Sequence, residues 1–230
     1  MHNFYHDQQK ILVSVDCIIL GFKQNKLNVL IFKRKFEPLK GEKSLMGGFV
    51  KPNESIDETA NRVLLEYTGI TDVFMEQVGT YGNVERDTGE RVISIVYYAL
   101  INMESYDERL EKVHNAQWID INEVGKLVFD HNQMLTDTIK ILRRRAAIRP
   151  IGFNLLPEKF TLPQLQSLYE AIYQTSLDKR NFRKKIFEID ILEKLDEKDK
   201  NASKRGAYYY RFNKEKYDRR LEDGAVISFI

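Results

Sequence analysis

The sequence predicts two successive domains of different class: an α/β domain over residues 1–150 and a mainly α winged helix-turn-helix domain over residues 151–230. Apolar residues recur mostly with the strand period of two in the first part and with helical spacing in the second. The charge also changes sign. Residues 1–139 contain 15 Lys and Arg against 21 Asp and Glu, a net −6, whereas residues 140–230 contain 21 against 13, a net +8. The basic second part indicates either a polyanionic partner or a solvated basic surface.

Composition places the 230-residue chain among ordinary globular proteins, at 43% hydrophobic and 30% charged residues. Cys17 is the single cysteine, so the chain has no internal disulfide to staple a secreted fold. Met1–Lys10 is polar and lacks the apolar run of a signal peptide. Ile11–Leu20 is interrupted by Ser14 and Asp16 and falls short of the ~20 apolar residues that a membrane span needs. We therefore expect a cytoplasmic protein with no membrane partner.

The elements of the first domain follow from these patterns. Strands are expected at 13–20, 27–32, 92–101 and 117–121. One helix interrupts them: Ser55 is a suitable N-cap, Glu58 completes a capping box, and Gly69 provides a left-handed stop. Apolar residues at helical spacing then begin after Asp130, and Pro150 ends that helix.

The second domain begins after an expected linker at 151–157. Thr161 can cap one helix and Asp178 a second, whose apolar face extends to Leu192, and only a few residues separate the two. A charged, flexible stretch is expected at 196–206, followed by a Tyr-rich strand at 207–212. Two helices joined by a short turn and followed by a basic hairpin indicate a winged helix.

A spaced motif joins the Gly47-Gly48 pair to the first helix. Seven positions agree with the pattern G-x5-E-x7-R-E-U-x-E-E-x-G-U, in which U is a bulky aliphatic residue: Gly48, Glu54, Arg62, Leu64, Glu66, Gly69 and Ile70. The segment resembles the Nudix box, and the similarity extends over roughly residues 8–145. This resemblance implies a Nudix fold, in which a mixed sheet lies between helices.

The chain departs from the Nudix pattern at two acidic positions, which are Val63 and Tyr67 here. Both share one helical face with Glu66. In a working Nudix hydrolase, the resemblance implies, carboxylates on that face hold a divalent metal. Mg²⁺ needs oxygen ligands, and valine offers none while a neutral phenol is a poor one. We therefore expect no metal, no other cofactor and no efficient diphosphate hydrolysis, with Arg62 and Glu66 bracing the box loop.

A Nudix pocket without its metal is expected to serve as a sensor. Gly47 and Gly48 would leave room for a ligand to approach the backbone closely, and polar residues before the strand at 92–101 would contact a small molecule. The candidate effector-binding residues are Gly47, Gly48, Glu66, Tyr81, Glu85 and Arg91. A solvated hairpin loop is the alternative for Glu85.

The second domain resembles the C-terminal winged helix of NrtR-type regulators. The similarity covers residues 160–172, 177–185 and 204–212, the last corresponding to the wing. The N-terminal residues of a recognition helix reach base edges, where Arg can bond guanine and Asn adenine. The candidate DNA-binding residues are therefore Lys179, Arg180, Asn181, Arg183 and Lys184 on the second helix, with Lys204 and Arg205 at the wing tip. Arg143–Arg145, before the linker, are expected to form interdomain salt bridges, with contact to DNA as the alternative.

The resemblance implies a ligand-responsive repressor that binds a palindromic duplex operator as a homodimer. Relatives of this kind sense either ADP-ribose or sugars. The lost metal site and the few basic residues near the box favour a sugar, with L-arabinose first, and hence control of sugar-utilisation genes. One alternative is a Nudix hydrolase of a nucleoside diphosphate derivative such as ADP-ribose, with metal ligands drawn from Glu54, Glu58 or Glu85. Another is an RNA-binding or scaffold role for the winged helix.

Overall fold

A computed structural model describes residues 7–103, 115–200, 206–225 and 227–229. The first unit contains β1 (Leu12–Lys23), β2 (Lys26–Lys33), β3 (Lys43–Ser44), β4 (Met46–Phe49), α1 (Ile56–Thr68), β5 (Phe74–Tyr81), β6 (Val92–Ile101), β7 (Ala116–Asp120) and α2 (His131–Ile148). The second contains a 3-10 helix (Pro150–Leu155), β8 (Phe160–Thr161), α3 (Leu162–Tyr173), α4 (Lys179–Ile189), β9 (Leu192–Asp199), β10 (Ala207–Phe212) and α5 (Lys214–Glu222).

The sheet of the first unit is mixed, as the resemblance implies. Its order is β3-β2-β1-β6-β5, with β4 also paired to β1 and β7 to β2. β1 and β6 run parallel, and the other pairs are antiparallel. Because side chains alternate along a strand, β1 sends Ile18 and Leu20 into one buried cluster and Cys17 and Ile19 into another. α1 packs in the second cluster and α2 in the first, so the sheet lies between helices.

The predicted start and end of α1 are confirmed. The Ser55 hydroxyl accepts the Glu58 N–H at 3.2 Å, and the Ser55 N–H donates to the Glu58 carboxylate at 2.7 Å. Gly69 has φ +70° and donates its N–H to the Leu65 carbonyl. This left-handed conformation favours glycine, because glycine has no Cβ that would clash with the backbone.

The second unit is a winged helix. Thr161 caps α3 in a reciprocal capping box with Gln164, and the Asp178 carboxylate caps α4 by accepting the Asn181 N–H at 2.8 Å. Phe182 on α4 is buried in the core. β8, β10 and β9 form an antiparallel three-stranded sheet beside the two helices.

The structure corrects the predicted boundaries after α4. Leu192 begins β9 instead of ending the helix, and β9 reaches Asp199, so the first residues of the stretch expected to be flexible are in a strand. β9 pairs with β10 alone among the described strands and carries charged, solvated side chains, so the apolar alternation of a buried strand is missing. The sequence pattern does not predict α5 either, because this helix buries none of its side chains and so has no apolar face.

The two units share one continuous core. The linker expected at 151–157 is largely the 3-10 helix, with Ile151 and Leu155 buried. Near the C-terminus Phe229 is fully buried, stacks on Tyr169 of α3 and donates its N–H to the Ala147 carbonyl of α2 at 2.8 Å. No helix in the described part of the chain combines the length and apolar character needed to cross a membrane.

Candidate functional site

Arg62 holds the loop before α1 against the helix. Its guanidinium donates two hydrogen bonds to the Glu54 carboxylate, at 2.8 and 2.9 Å, and one to the Phe49 carbonyl at 3.0 Å. These bonds stabilise the charged carboxylate and lower the pKa of Glu54 to about 2. Glu66 is exposed and lies 4.0 Å from Arg62, so it adds little to the brace.

The face of α1 expected to lack metal ligands is filled by its own side chains. Val63 is fully buried, and the Tyr67 ring lies 5.5 Å from that of Phe32. Burial raises the pKa of Tyr67, which keeps the phenol neutral and a poor ligand. Glu54 is already bound to Arg62 and Glu58 to the Ser55 N–H. No cluster of three or more His, Cys, Asp and Glu residues in the described ranges could hold a metal, and this donor set does not fit Mg²⁺.

A cavity of about 320 Å³ opens beside the Nudix box. It forms where the first half of β1 meets β4, the loop after β2, the loop before β6 and the start of α2. Its lining combines aromatic rings with cations, carboxylates and an imidazole, namely Phe36, Phe49, Phe129, Arg34, Arg86, Asp16, Glu37, Asp87, Glu90 and His131. Such a mixture of apolar surface and a few convergent polar groups is typical of a small-molecule site.

Arg86 organises the charges on the cavity floor, although its side chain is only 3% exposed. Its guanidinium forms a bidentate pair with Asp130, at 3.0 and 2.9 Å, and lies 3.8 Å from the Asp16 carboxylate. Asp16 also accepts the Ser94 hydroxyl at 2.5 Å. Buried charges need such partners, because an unpaired one would lose its hydration without compensation.

His131 completes the floor as a neutral side chain. Its Nδ1 accepts the Leu45 N–H at 3.1 Å, which places the proton on Nε2, 3.9 Å from Asp16. Burial lowers the pKa of His131. His131 is thus a buried core residue that also lines the cavity.

Arg34 forms a cationic wall at the rim of the cavity. Its guanidinium lies 4.7 Å from the centre of the Phe36 ring and 5.2 Å from that of Phe129. A hydrogen bond from Nε to the Pro38 carbonyl, at 2.8 Å, fixes the side chain. Phe36 is 53% exposed and leaves aromatic surface open to a ligand. Planar rings and a guanidinium in this arrangement can bind a flat, anionic molecule by stacking and charge.

Gly47 and Gly48, two of the six predicted effector residues, line this cavity. Close packing within the chain also favours glycine at both positions. A Cβ on Gly47 would lie 2.4 Å from the Asp16 carboxylate, and one on Gly48 would lie 3.1 Å from Val63. Close packing is thus a second reason for glycine at these positions, beside the predicted room for a ligand.

The other four predicted effector residues do not line the cavity. The Tyr81 hydroxyl donates to Asp137 at 3.1 Å, and the Arg91 guanidinium donates to three backbone carbonyls of its own hairpin. Glu66 and Glu85 are exposed. Sequence reasoning missed Arg34 and Asp16, and it included Arg86 only among the polar residues before the strand at 92–101. These three residues line one cavity in the folded chain. The assignment of the six predicted residues to an effector site, including the two glycines, stays a prediction.

The candidate DNA-binding residues on α4 share one exposed surface. Lys179, Arg180, Asn181, Arg183 and Lys184 are all exposed. Lys184 lies 3.8 Å from Glu188, whereas Lys179, Arg180 and Arg183 have no ion pair in the described structure. Tyr208 of β10 continues this surface, with the Lys194 and Lys198 ammonium groups over its ring. Lys204 and Arg205 lie outside the described residues.

Two family models match the chain in succession. The NUDIX domain matches residues 10–138, and the NrtR DNA-binding winged helix domain matches residues 152–212. The chain belongs to the NrtR family. Both the predicted family and the predicted fold class are thereby confirmed.

Individual relatives agree with this membership. The chain is 33% identical over 216 residues to the ADPR responsive transcriptional repressor NtrR of Acinetobacter baylyi, covering 92% of this chain and 86% of the relative. It resembles the crystal structure of Shewanella oneidensis NrtR complexed with a 27mer DNA, with 27% identity, a TM-score of 0.81 and coverage of 90% and 95%. It is also 35% identical over 131 residues to the ADP-ribose pyrophosphatase of Methanocaldococcus jannaschii, covering 56% of this chain and 73% of that protein.

These relatives correct one expectation from the sequence. The Acinetobacter and Methanocaldococcus proteins are both named for ADP-ribose. The predicted preference for a sugar over ADP-ribose is therefore contradicted, and the assignment to L-arabinose utilisation is not supported. That preference arose because Arg34 and Arg86 are remote from the box in sequence, so the box appeared poor in basic residues. In the folded NrtR-family chain both line the cavity next to it.

Proposed function

We propose that this protein is an ADP-ribose-responsive transcriptional repressor. Its winged helix binds operator DNA, and its Nudix unit binds the effector. The support is the 33% identity to a repressor named for this response, which extends over 92% of the chain and so includes both units. Repression relieved by the effector is the polarity we propose.

The observation that carries the effector assignment is the lining of the cavity beside the Nudix box. ADP-ribose presents a flat adenine, two anionic phosphates and ribose hydroxyls. The Phe36 and Phe129 rings offer aromatic surface, and the guanidinium of Arg34 between them offers positive charge. Carboxylate and imidazole groups at Asp16 and His131 are of the kind that bind hydroxyls. The cavity therefore offers a group for each part of ADP-ribose: aromatic rings for the adenine, a guanidinium for the phosphates, and carboxylates for the ribose hydroxyls.

The DNA assignment rests on the basic N-terminal turn of α4. In a helix-turn-helix that turn enters the major groove. Arg180 and Asn181 are proposed to read base edges, and Lys184 to bind a phosphate. A homodimer on a palindromic operator is part of the proposal, because paired half-sites mirror a two-fold symmetric protein.

We also propose that the Nudix unit does not hydrolyse diphosphates efficiently, since Val63 and Tyr67 fill the face where carboxylates would hold a metal. The similarity to an ADP-ribose pyrophosphatase favours hydrolysis as a second candidate function. Incubation with ADP-ribose and Mg²⁺ or Mn²⁺ separates the two. No release of AMP is expected. Turnover that Glu66→Gln abolishes would establish the hydrolase instead.

Fluorescence anisotropy on duplex DNA from the protein's own upstream region tests the repressor. A scrambled duplex is the DNA control, and L-arabinose is the ligand control. We expect specific binding that ADP-ribose weakens and L-arabinose leaves unchanged. Equal, steeply salt-dependent binding to both duplexes would mean only a basic surface, and specific binding that ADP-ribose leaves unchanged would contradict the effector.

A further inference from the structure

α2 is the element that reaches from the cavity to the winged helix. Its first residue, His131, lines the cavity, and its last turns contact the second unit. The helix has 18 residues, which corresponds to about 27 Å at 1.5 Å per residue. A rigid rod of this length, anchored at both ends, can carry a displacement from one site to the other.

The cavity end of α2 is held by a charge pair instead of a helix cap. Asp130 occupies the N-cap position, yet its side chain makes no capping hydrogen bond. Its carboxylate is bound to Arg86 by both oxygens. An anionic ligand in the cavity would attract the same guanidinium and compete with Asp130 for it. The released carboxylate would then be able to cap N–H groups of the first turn, which would give this end of α2 a second arrangement when the ligand is bound.

The other end of α2 is bound to the turn that separates the two DNA-binding helices. Arg143 donates from Nε to the Ile172 carbonyl at 2.8 Å and from Nη2 to the Gln174 side chain at 2.6 Å. Tyr173 returns a hydrogen bond from its hydroxyl to the Arg143 carbonyl at 2.7 Å. Ile172, Tyr173 and Gln174 lie at the end of α3, where Gln174 adopts a left-handed conformation with φ +55°. The expected interdomain role of Arg143 is thus a clamp on backbone and amide groups, not a salt bridge.

We propose that α2 transmits occupancy of the cavity to the winged helix, with the Arg86–Asp130 pair as the input and the Arg143 clamp as the output. This inference rests on the proposed function. A ligand changes the orientation of the winged helix only through its different affinity for two arrangements of the chain. Removing the clamp must therefore reduce the thermodynamic coupling between effector and DNA while leaving each separate binding site intact. Arg143 is a positioning residue in this scheme.

Arg143→Met tests the output end, because methionine keeps the length of the apolar stem and loses the hydrogen bonds. Arg144→Met is the matched control: it removes the same charge from the next position of α2, where the side chain is exposed and has no hydrogen bond or ion pair in the described structure. Operator affinity is measured by anisotropy with and without saturating ADP-ribose, and ADP-ribose affinity by calorimetry. A second variant, Tyr173→Phe, removes one clamp bond without changing volume if Arg143→Met does not fold.

Wild-type protein and Arg144→Met are expected to lose operator affinity with ADP-ribose by the same factor, within the roughly 5–150-fold range of allosteric coupling. Arg143→Met is expected to bind operator and ADP-ribose separately as wild type does, with that factor reduced toward one. If ADP-ribose weakens operator binding by Arg143→Met as much as it does for wild type, transmission through α2 is overturned and the proposed function is not. The same result in Tyr173→Phe has this meaning if Arg143→Met does not fold. A wild type that does not respond to ADP-ribose would overturn the proposed effector and the inference with it.

Discussion

The two cationic regions of this protein differ in how their charges are held. On α4, Arg180 and Arg183 are exposed and have no ion pair among the described residues. In the cavity, Arg86 is buried and bound by both oxygens of Asp130. Exposed cations attract a polyanion at long range and respond to salt. A buried, paired arginine stabilises the fold first, so a ligand reaches it only by competing with its carboxylate.

The largest expected effect is on the free energy of unfolding, and it comes from substituting the buried arginine. Arg86→Met leaves Asp16 and Asp130 facing each other without a cation, and breaking a buried ion pair costs about 3–5 kcal/mol of unfolding free energy. The matched substitution Arg183→Met on α4 is expected to change stability by no more than about 0.5 kcal/mol. Urea unfolding followed by circular dichroism measures both. Equal stabilities would mean that the charge network on the cavity floor contributes nothing to folding.

The next effect tests the exposed side. Arg180→Ala should cost about 1–3 kcal/mol of operator binding if this side chain makes a base contact. Binding to a scrambled duplex should change much less, because non-specific binding depends on phosphates. Anisotropy titrations of both duplexes measure the difference, with Arg144→Ala as a charge-matched control on α2. Unchanged operator affinity would remove Arg180 from the recognition surface.

Sequence patterns predicted the fold well where local signals and burial agree. The capping box of Ser55 and Glu58, the Gly69 stop and the Asp178 cap are all present as expected. The patterns missed β5 and α5 and placed Leu192 in the wrong element. β5 is mostly half-buried and α5 buries no side chain, so neither has the apolar period that marks a buried face.

The two candidate sites also differ in how far the sequence alone reveals them. The α4 surface is continuous in sequence, so its cluster of cations is visible without a structure. The cavity is assembled from separate segments, and Arg34 and Arg86 are more than fifty residues apart. Asp16 gives one local signal, a carboxylate inside an apolar strand, which counts against a membrane span but does not by itself indicate a binding site. A charge at such a position needs a buried partner, and that partner could be found only through tertiary structure.

The cavity floor also predicts a dependence of stability on pH. Burial lowers the pKa of His131 below its unfolded value near 6.5, so the unfolded chain binds more protons at mildly acidic pH. The stabilisation is fully present above pH 6.5 and is lost as pH falls through the lowered pKa, at up to about 1.4 kcal/mol per pH unit for one proton. Urea unfolding between pH 7.5 and 5.5 measures the slope.

His131→Asn is the control for this slope, because its amide oxygen can still accept the Leu45 N–H. The variant should retain a shallower pH dependence, whatever its absolute stability. Paired carboxylates such as Glu54, with a pKa of about 2, titrate below this window. An identical slope in both proteins would assign the pH dependence to other groups.

The smallest effect distinguishes positioning from recognition within α4 itself. Lys184 is exposed, and its only partner in the described structure is Glu188, 3.8 Å away, a pair weak enough to yield to a phosphate. Lys184→Gln should weaken operator and scrambled duplex alike and reduce the slope of log affinity against log salt by about one. Lys140→Gln, on α2, should leave the slope unchanged. If Lys184→Gln instead lowers affinity for the operator and not for the scrambled duplex, Lys184 contacts a base. The base-reading residues of α4 would then extend beyond Arg183.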